Sequence, residues 1–147
     1  MTDTPVKDQT QTNRTLDSSP TTFPFGRSIY ADFSHDDQIT AIISAIGLFR
    51  QREFLDPTKP DPERTWHTSA IVPSSGRFVF ERLTCSSNGK SEARIRVLAQ
   101  DQVQPLEFCG ADDSGLCTLN AFVESQSFAR DNGNGDFEKC FADSGAS

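Results

Sequence analysis

Ile39, Ile42, Ile43, Ile46 and Phe49 recur at three- and four-residue spacings along an otherwise polar stretch. That pattern lays one apolar stripe along a helix from about Asp36 to Phe49, and a helix with one apolar face must bury it against a second layer. The stripe therefore constrains the fold more than any other feature. Its start is marked by Ser34 as N-cap and Asp37 three residues later, a capping box with Asp in place of Glu or Gln, so the helix is expected to begin at His35. Just before it, Ser28-Ile29-Tyr30-Ala31-Asp32-Phe33 alternates like a short strand.

The remaining elements are written more plainly. Residues 51 to 76 carry Pro57, Pro60, Pro62, Pro73 and Gly76 and read as a long surface loop. Two strands, Arg77 to Leu83 and Ala93 to Leu98, flank the turn signal Ser86-Ser87-Asn88-Gly89 and should pair, and the second is expected to continue past Asp101 into a short arm at Val103 to Leu106. A last amphipathic helix is written by Leu119, Phe122, Val123 and Phe128, with Asn132-Gly133-Asn134-Gly135 ending it.

Composition narrows the class of function. A chain of 147 residues with a net charge of −7 and no basic cluster is a poor match for nucleic acid. The longest apolar run, Ala41 to Phe49, contains Ser44 and falls far short of the roughly 20 residues a membrane span needs. Residues 1 to 20 are too polar for a signal peptide. Yet four cysteines, a single Met and the glycosylation sequon Asn13-Arg14-Thr15 are habits of secreted proteins. Cys109 and Cys117 enclose a Gly-containing loop wider than the C-x₂₋₄-C spacing of zinc sites, so a local disulfide is expected. Cys85 and Cys140 are left to pair with each other or with cysteines elsewhere. Neither a metal nor a cofactor is expected: the chain has two histidines, Asp131 to Asp136 does not follow the EF-hand register, and His67 reads as a surface residue.

Chemistry concentrates at Phe33-Ser34-His35-Asp36, where the expected strand ends and the helix begins. Ligands bind beyond the carboxyl ends of strands in α/β architectures, and a helix N-terminus offers N–H groups and the positive dipole end to an anion. His35 is suited to contact phosphate oxygens, and Asp36 to deliver a proton to a leaving alkoxide. The same residue types are ordinary helix starters. The dipole also favours an ionised carboxylate, which opposes proton donation unless burial or a bound anion offsets it.

The run Tyr30-Ala31-Asp32-Phe33-Ser34-His35-Asp36, followed by an apolar helix ending Ala45-Ile46-Gly47-Leu48, resembles the C-terminal active-site segment of the fungal histidine acid phosphatases, the phytases in particular. Thr15 to Pro20 and Thr22-Phe23-Pro24 upstream are similar to the family as well. So are Val72-Pro73, Arg77 with Glu81, Cys85, Arg96 to Leu98, Cys109 to Cys117, Ser127 to Arg130 and Cys140-Phe141 downstream. The resemblance implies an α/β fold, the C-terminal part of a phosphoglycerate mutase-like domain with an incomplete sheet and flanking helices. It also implies a polar lead-in over 1–26, the phosphatase portion over 27–142 and a tail over 143–147.

By the same resemblance the activity is phosphomonoester hydrolysis, the substrate a phosphate monoester such as phytate, and the location extracellular. Asp36 is the implied proton donor and His35 the implied phosphate contact. The family's nucleophile lies in an Arg-His-Gly-x-Arg-x-Pro motif, and no Arg-His-Gly occurs in these 147 residues. The chain is thus expected to carry only the His-Asp half of the site, with Cys85 and Cys140 bridged to an earlier portion of polypeptide and only Cys109 and Cys117 self-contained. The alternative is an inactive truncated product or an anion-binding remnant. Phytases commonly have Asn where this chain has Asp37, a difference that bears on substrate preference.

Overall fold

The computed structural model describes residues 19–24 and 26–139. Helices stand beside an open antiparallel sheet, as in an incomplete α/β fold. Two compact units are present, Ser34–Gln126 and a second made of the described residues on either side of it.

Helix α1 (Asp36–Ile46) is the element foreseen from the apolar stripe, shorter at its C-terminus. Gly47 ends it at φ 93°, donating to Ser44 O at 3.0 Å while Leu48 N donates to Ile43 O at 3.1 Å. This is a Schellman closure, which only a residue at ease with positive φ completes without strain. Leu48 and Ile43 are both buried beneath it. The N-cap is His35 rather than Ser34, and Gln38 rather than Asp37 closes the first turn: its Oε1 accepts from His35 N at 3.4 Å and from the Ser34 hydroxyl. Ile39, Ile43 and Ile46 face the core, but Ile42 is 54% exposed, so the buried stripe is narrower than the spacing implies.

In the 51–76 region, Trp66, Ile71 and Val72 join the core, and Thr68–Ile71 forms a one-turn helix, α2. Strands β1 (Phe78–Ser87) and β2 (Lys90–Ala99) pair antiparallel from Phe78↔Ala99 to Ser87↔Lys90, β1 starting one residue later than expected and running longer at its C-terminal end, β2 longer at both ends. Asn88 and Gly89 join them at φ 51° and 74°, the geometry of a two-residue type I′ turn. A second such turn, Gln100-Asp101, leads into β3 (Gln102–Val103), and β4 (Cys117–Thr118) shares the same edge of β2. Ile95 and Val97 point from β2 into the core formed with Ile43, Leu48, Ile71, Leu106 and Cys117.

The last expected helix is broken. α3 (Leu119–Ser125), capped by Thr118 Oγ1 on Ala121 N at 3.0 Å, stops at Gln126. Ser125 Oγ donates to Phe122 O at 2.6 Å, and Gln126 Nε2 donates to Ile46 O at 3.3 Å, so side chains take up carbonyls at the ends of two helices. In the second unit, Ser127–Arg130 (α4) and Asp136–Lys139 (α5) flank a turn over Asn132–Gly135 in which Gly133 and Asn134 have positive φ.

The expected strand over Ser28 to Phe33 does not form. Tyr30 instead closes a local loop, donating to Pro24 O at 2.7 Å, accepting from Arg27 N at 3.3 Å and stacking on Phe23 with centroids 5.3 Å apart. No neighbouring strand pairs with the segment among the described residues, and Phe33 is fully exposed. An alternating pattern becomes a strand only when a partner supplies the ladder.

Candidate functional site

The helix start and the Val72 to Gly76 loop face each other across a cavity of about 280 Å³. Ser34, His35, Asp36 and Ile39 line one side, and Ser74 and Ser75 bring two hydroxyl residues to the other. His35 and Asp36 are exposed, positioned by the cap that holds the first turn of α1. The first helical bond of that turn is Ile39 N to His35 O at 3.0 Å, so the amides of Asp36 and Asp37 precede the ladder, at the positive dipole end. Asp37 turns its carboxylate back along the backbone, accepting from Gln38 N at 2.8 Å. An imidazole, a carboxyl group, a helix N-terminus and two serines around one concavity suit an anion with an ester oxygen to protonate.

A larger hollow of about 360 Å³ lies at the opposite end of α1, between Ser44, Gly47 to Gln51 and Trp66. It has neither carboxylate nor histidine in its lining, whereas the smaller one has both. His67 is half-buried rather than a surface residue, occupies the N-cap of α2 and does not line the His35 cavity. Among the described residues, no group of three or more His, Cys, Asp or Glu side chains is arranged to hold a metal ion, and no helix is long and apolar enough to cross a membrane.

Cys109 and Cys117 form the expected disulfide, with Cα atoms 6.0 Å apart. Asp112 organises the loop between them: Oδ1 accepts from Ser114 N at 2.9 Å and Leu116 N at 3.1 Å, and Oδ2 meets Arg94 at 2.8 Å. Cys85 is unbridged among the described residues; Asn13 and Cys140 lie outside them. The serine wall was not picked out from the sequence. Its only local signal is the turn-like Pro73-Ser74-Ser75-Gly76, and only folding brings it opposite the helix.

Comparison with known proteins identifies the family. Residues 1–100 match the family described as the histidine phosphatase superfamily (branch 2). Phytase A of Arthroderma benhamiae is 41% identical over 140 residues, covering 92% of this chain and 31% of that protein. Phytase A of Aspergillus oryzae is 42% identical over 145 residues, 97% of this chain and 30% of that protein. Phytase A of Aspergillus fumigatus is 39% identical over 145 residues, with the same coverages of 97% and 30%. The chain therefore spans under a third of the length of the relatives it matches. Matched to the family over 100 of its residues, and built around a helix that opens on His35 and Asp36, this chain belongs to branch 2 of the histidine phosphatase superfamily.

Proposed function

We propose that this chain supplies the phosphate-holding and proton-donating half of a phosphomonoesterase site, with phytate-type inositol phosphates as the substrate class. The observation that carries the reading is the pairing of His35 and Asp36 at one helix start, on one cavity, in a chain about two-fifths identical to proteins called Phytase A. His35 hydrogen-bonds a phosphate oxygen. A histidine on other polypeptide attacks phosphorus through a ring nitrogen, the bond from phosphorus to the ester oxygen breaks, and the Asp36 carboxyl gives its proton to the departing alkoxide. Water then attacks the phosphohistidine, the Asp36 carboxylate takes a proton from it, and inorganic phosphate leaves.

With no Arg-His-Gly in its 147 residues, the chain alone holds phosphate without turning it over. The reading places it outside the cell, with Asn13 glycosylated, Cys85 and Cys140 bridged to further polypeptide, and residues 27–142 forming one portion of the phosphatase domain. The test replaces the matching segment of Aspergillus oryzae Phytase A with this chain and measures phosphate release from phytate. Asp36→Asn should lower kcat by about 10²–10⁴-fold with KM little changed. A chimera whose kcat is indifferent to Asp36 would refute the assignment.

A further inference from the structure

The serine wall of the His35 cavity is held at both ends by a single side chain. Gln100 Nε2 donates to Ile71 O at 2.9 Å, and Gln100 Oε1 accepts from Arg77 N at 3.1 Å. Ile71 and Arg77 are the residues immediately before and after the five, Val72 to Gly76, that line the cavity. One amide therefore spans the base of the whole segment.

Four further features converge on this clasp. Gln100 N donates to Arg77 O at 3.1 Å, and the Arg77 guanidinium forks onto the Asp101 carboxylate, with Nε 2.9 Å from Oδ1. A Cβ on Gly76 would lie 2.8 Å from Pro73 O and 3.0 Å from Gln100 Nε2, so a larger residue here would crowd the loop's own backbone and press on the amide. Gln100 and Asp101 hold φ 50° and 66°, a region unfavourable for residues with a Cβ, where Asn-Gly is the ordinary solution to a two-residue hairpin. At this turn the side chains are used to grip the loop.

We propose that Gln100 is a positioning residue of the phosphate site, holding Ser74 and Ser75 opposite His35 and Asp36 so that the cavity is organised before the anion arrives. This rests on the phosphate-holding role of His35 given above. Without the clasp the loop spends less time in the binding-competent arrangement, and apparent affinity falls by that fraction.

The experiment titrates the isotopically labelled full chain with inorganic phosphate and follows the His35 ring and the Ser74 and Ser75 amides by NMR. In the unaltered chain all three should shift along one binding curve. Gln100→Ala should weaken that curve on the order of tenfold and speed amide exchange at Arg77, from the loss of two hydrogen bonds. Gln100→Glu, which keeps the acceptor for Arg77 N but loses the donor to Ile71 O, should fall between. Gln104→Ala is the control, because Gln104 Nε2 donates to Gln102 O, at 2.9 Å, within its own hairpin, and it should bind as the unaltered chain does. Equal binding by Gln100→Ala would overturn the clasp alone. Equal weakening by Gln104→Ala would reduce it to general destabilisation of the hairpin and also overturn it. A His35 ring indifferent to phosphate in the unaltered chain would overturn the site reading and the clasp together.

Discussion

Asp37 stands one residue beyond the pair assigned to phosphate, and its carboxylate is already engaged by Gln38 N. A second, exposed anion this close to a bound phosphate is unfavourable by roughly 1 kcal/mol at the dielectric of bulk water. Asp37→Asn keeps an acceptor for Gln38 N and removes the charge, so it should tighten phosphate binding about two- to fivefold at low salt and less at high salt. A phosphate titration at two ionic strengths checks this, and weaker binding by the variant would contradict it. Asp56 gives a second prediction at this scale. The Thr58 hydroxyl and backbone N–H both donate to its carboxylate, at 2.6 and 2.8 Å, and hold its pKa below the ordinary value of 3.8. Because the folded-state pKa is depressed, the stability this turn contributes is present above the unfolded value and lost as pH falls through the folded one. Carboxyl NMR should place the Asp56 midpoint below that of a model aspartate, and Thr58→Ala should raise it.

At the scale of elements, closures matter more than propensities. α1 depends on Gly47 to turn its last carbonyls inward, and the sheet depends on two tight turns that put β1 and β3 on opposite edges of β2. The Cys109 to Cys117 loop adds β4 to the same sheet and buries Cys117 in the core, while Asp112 and Arg94 tie the loop to β2. Digestion of the oxidised chain should release Cys109 and Cys117 as one bridged peptide with Cys85 outside it. Reduction of that bridge should move unfolding to lower denaturant concentration, because the unfolded chain regains the freedom the loop removed. A bridge from Cys85 to either partner would contradict the observed pairing.

On the scale of the whole molecule, the core is small for the surface it leaves. Among the described residues seven buried ones form it, centred on Ile43, Val97 and Leu106, whereas Ile42, Phe54 and Phe80 are substantially exposed in the same unit. Among the described residues β1 is paired only with β2, leaving its other edge open over Phe78–Ser87. An open edge of that length beside exposed apolar side chains invites association. The isolated chain should bind a hydrophobic dye, associate increasingly as its concentration is raised and unfold with weak cooperativity. A monomer that binds no dye and melts in one sharp, reversible transition would count against this.

What the sequence alone determined were the features governed by neighbours along the chain: the α1 stripe, the Asn88-Gly89 hairpin, the Cys109 to Cys117 bridge and the His35-Asp36 pair at a helix start. Each depends on residues within about one turn or one short loop of one another, where spacing already implies geometry. Tertiary structure decided the rest. The alternation at Ser28 to Phe33 needs a strand beside it, which no local pattern supplies, and the helix after Leu119 ends at Gln126, whose side chain donates to a carbonyl on Ile46, eighty residues away. The serine wall and its clasp were illegible for the same reason. Ile71, Arg77 and Gln100 are ordinary residues until the sheet brings the β2–β3 turn against the loop, since hydrogen bonds between distant segments leave no period in the sequence.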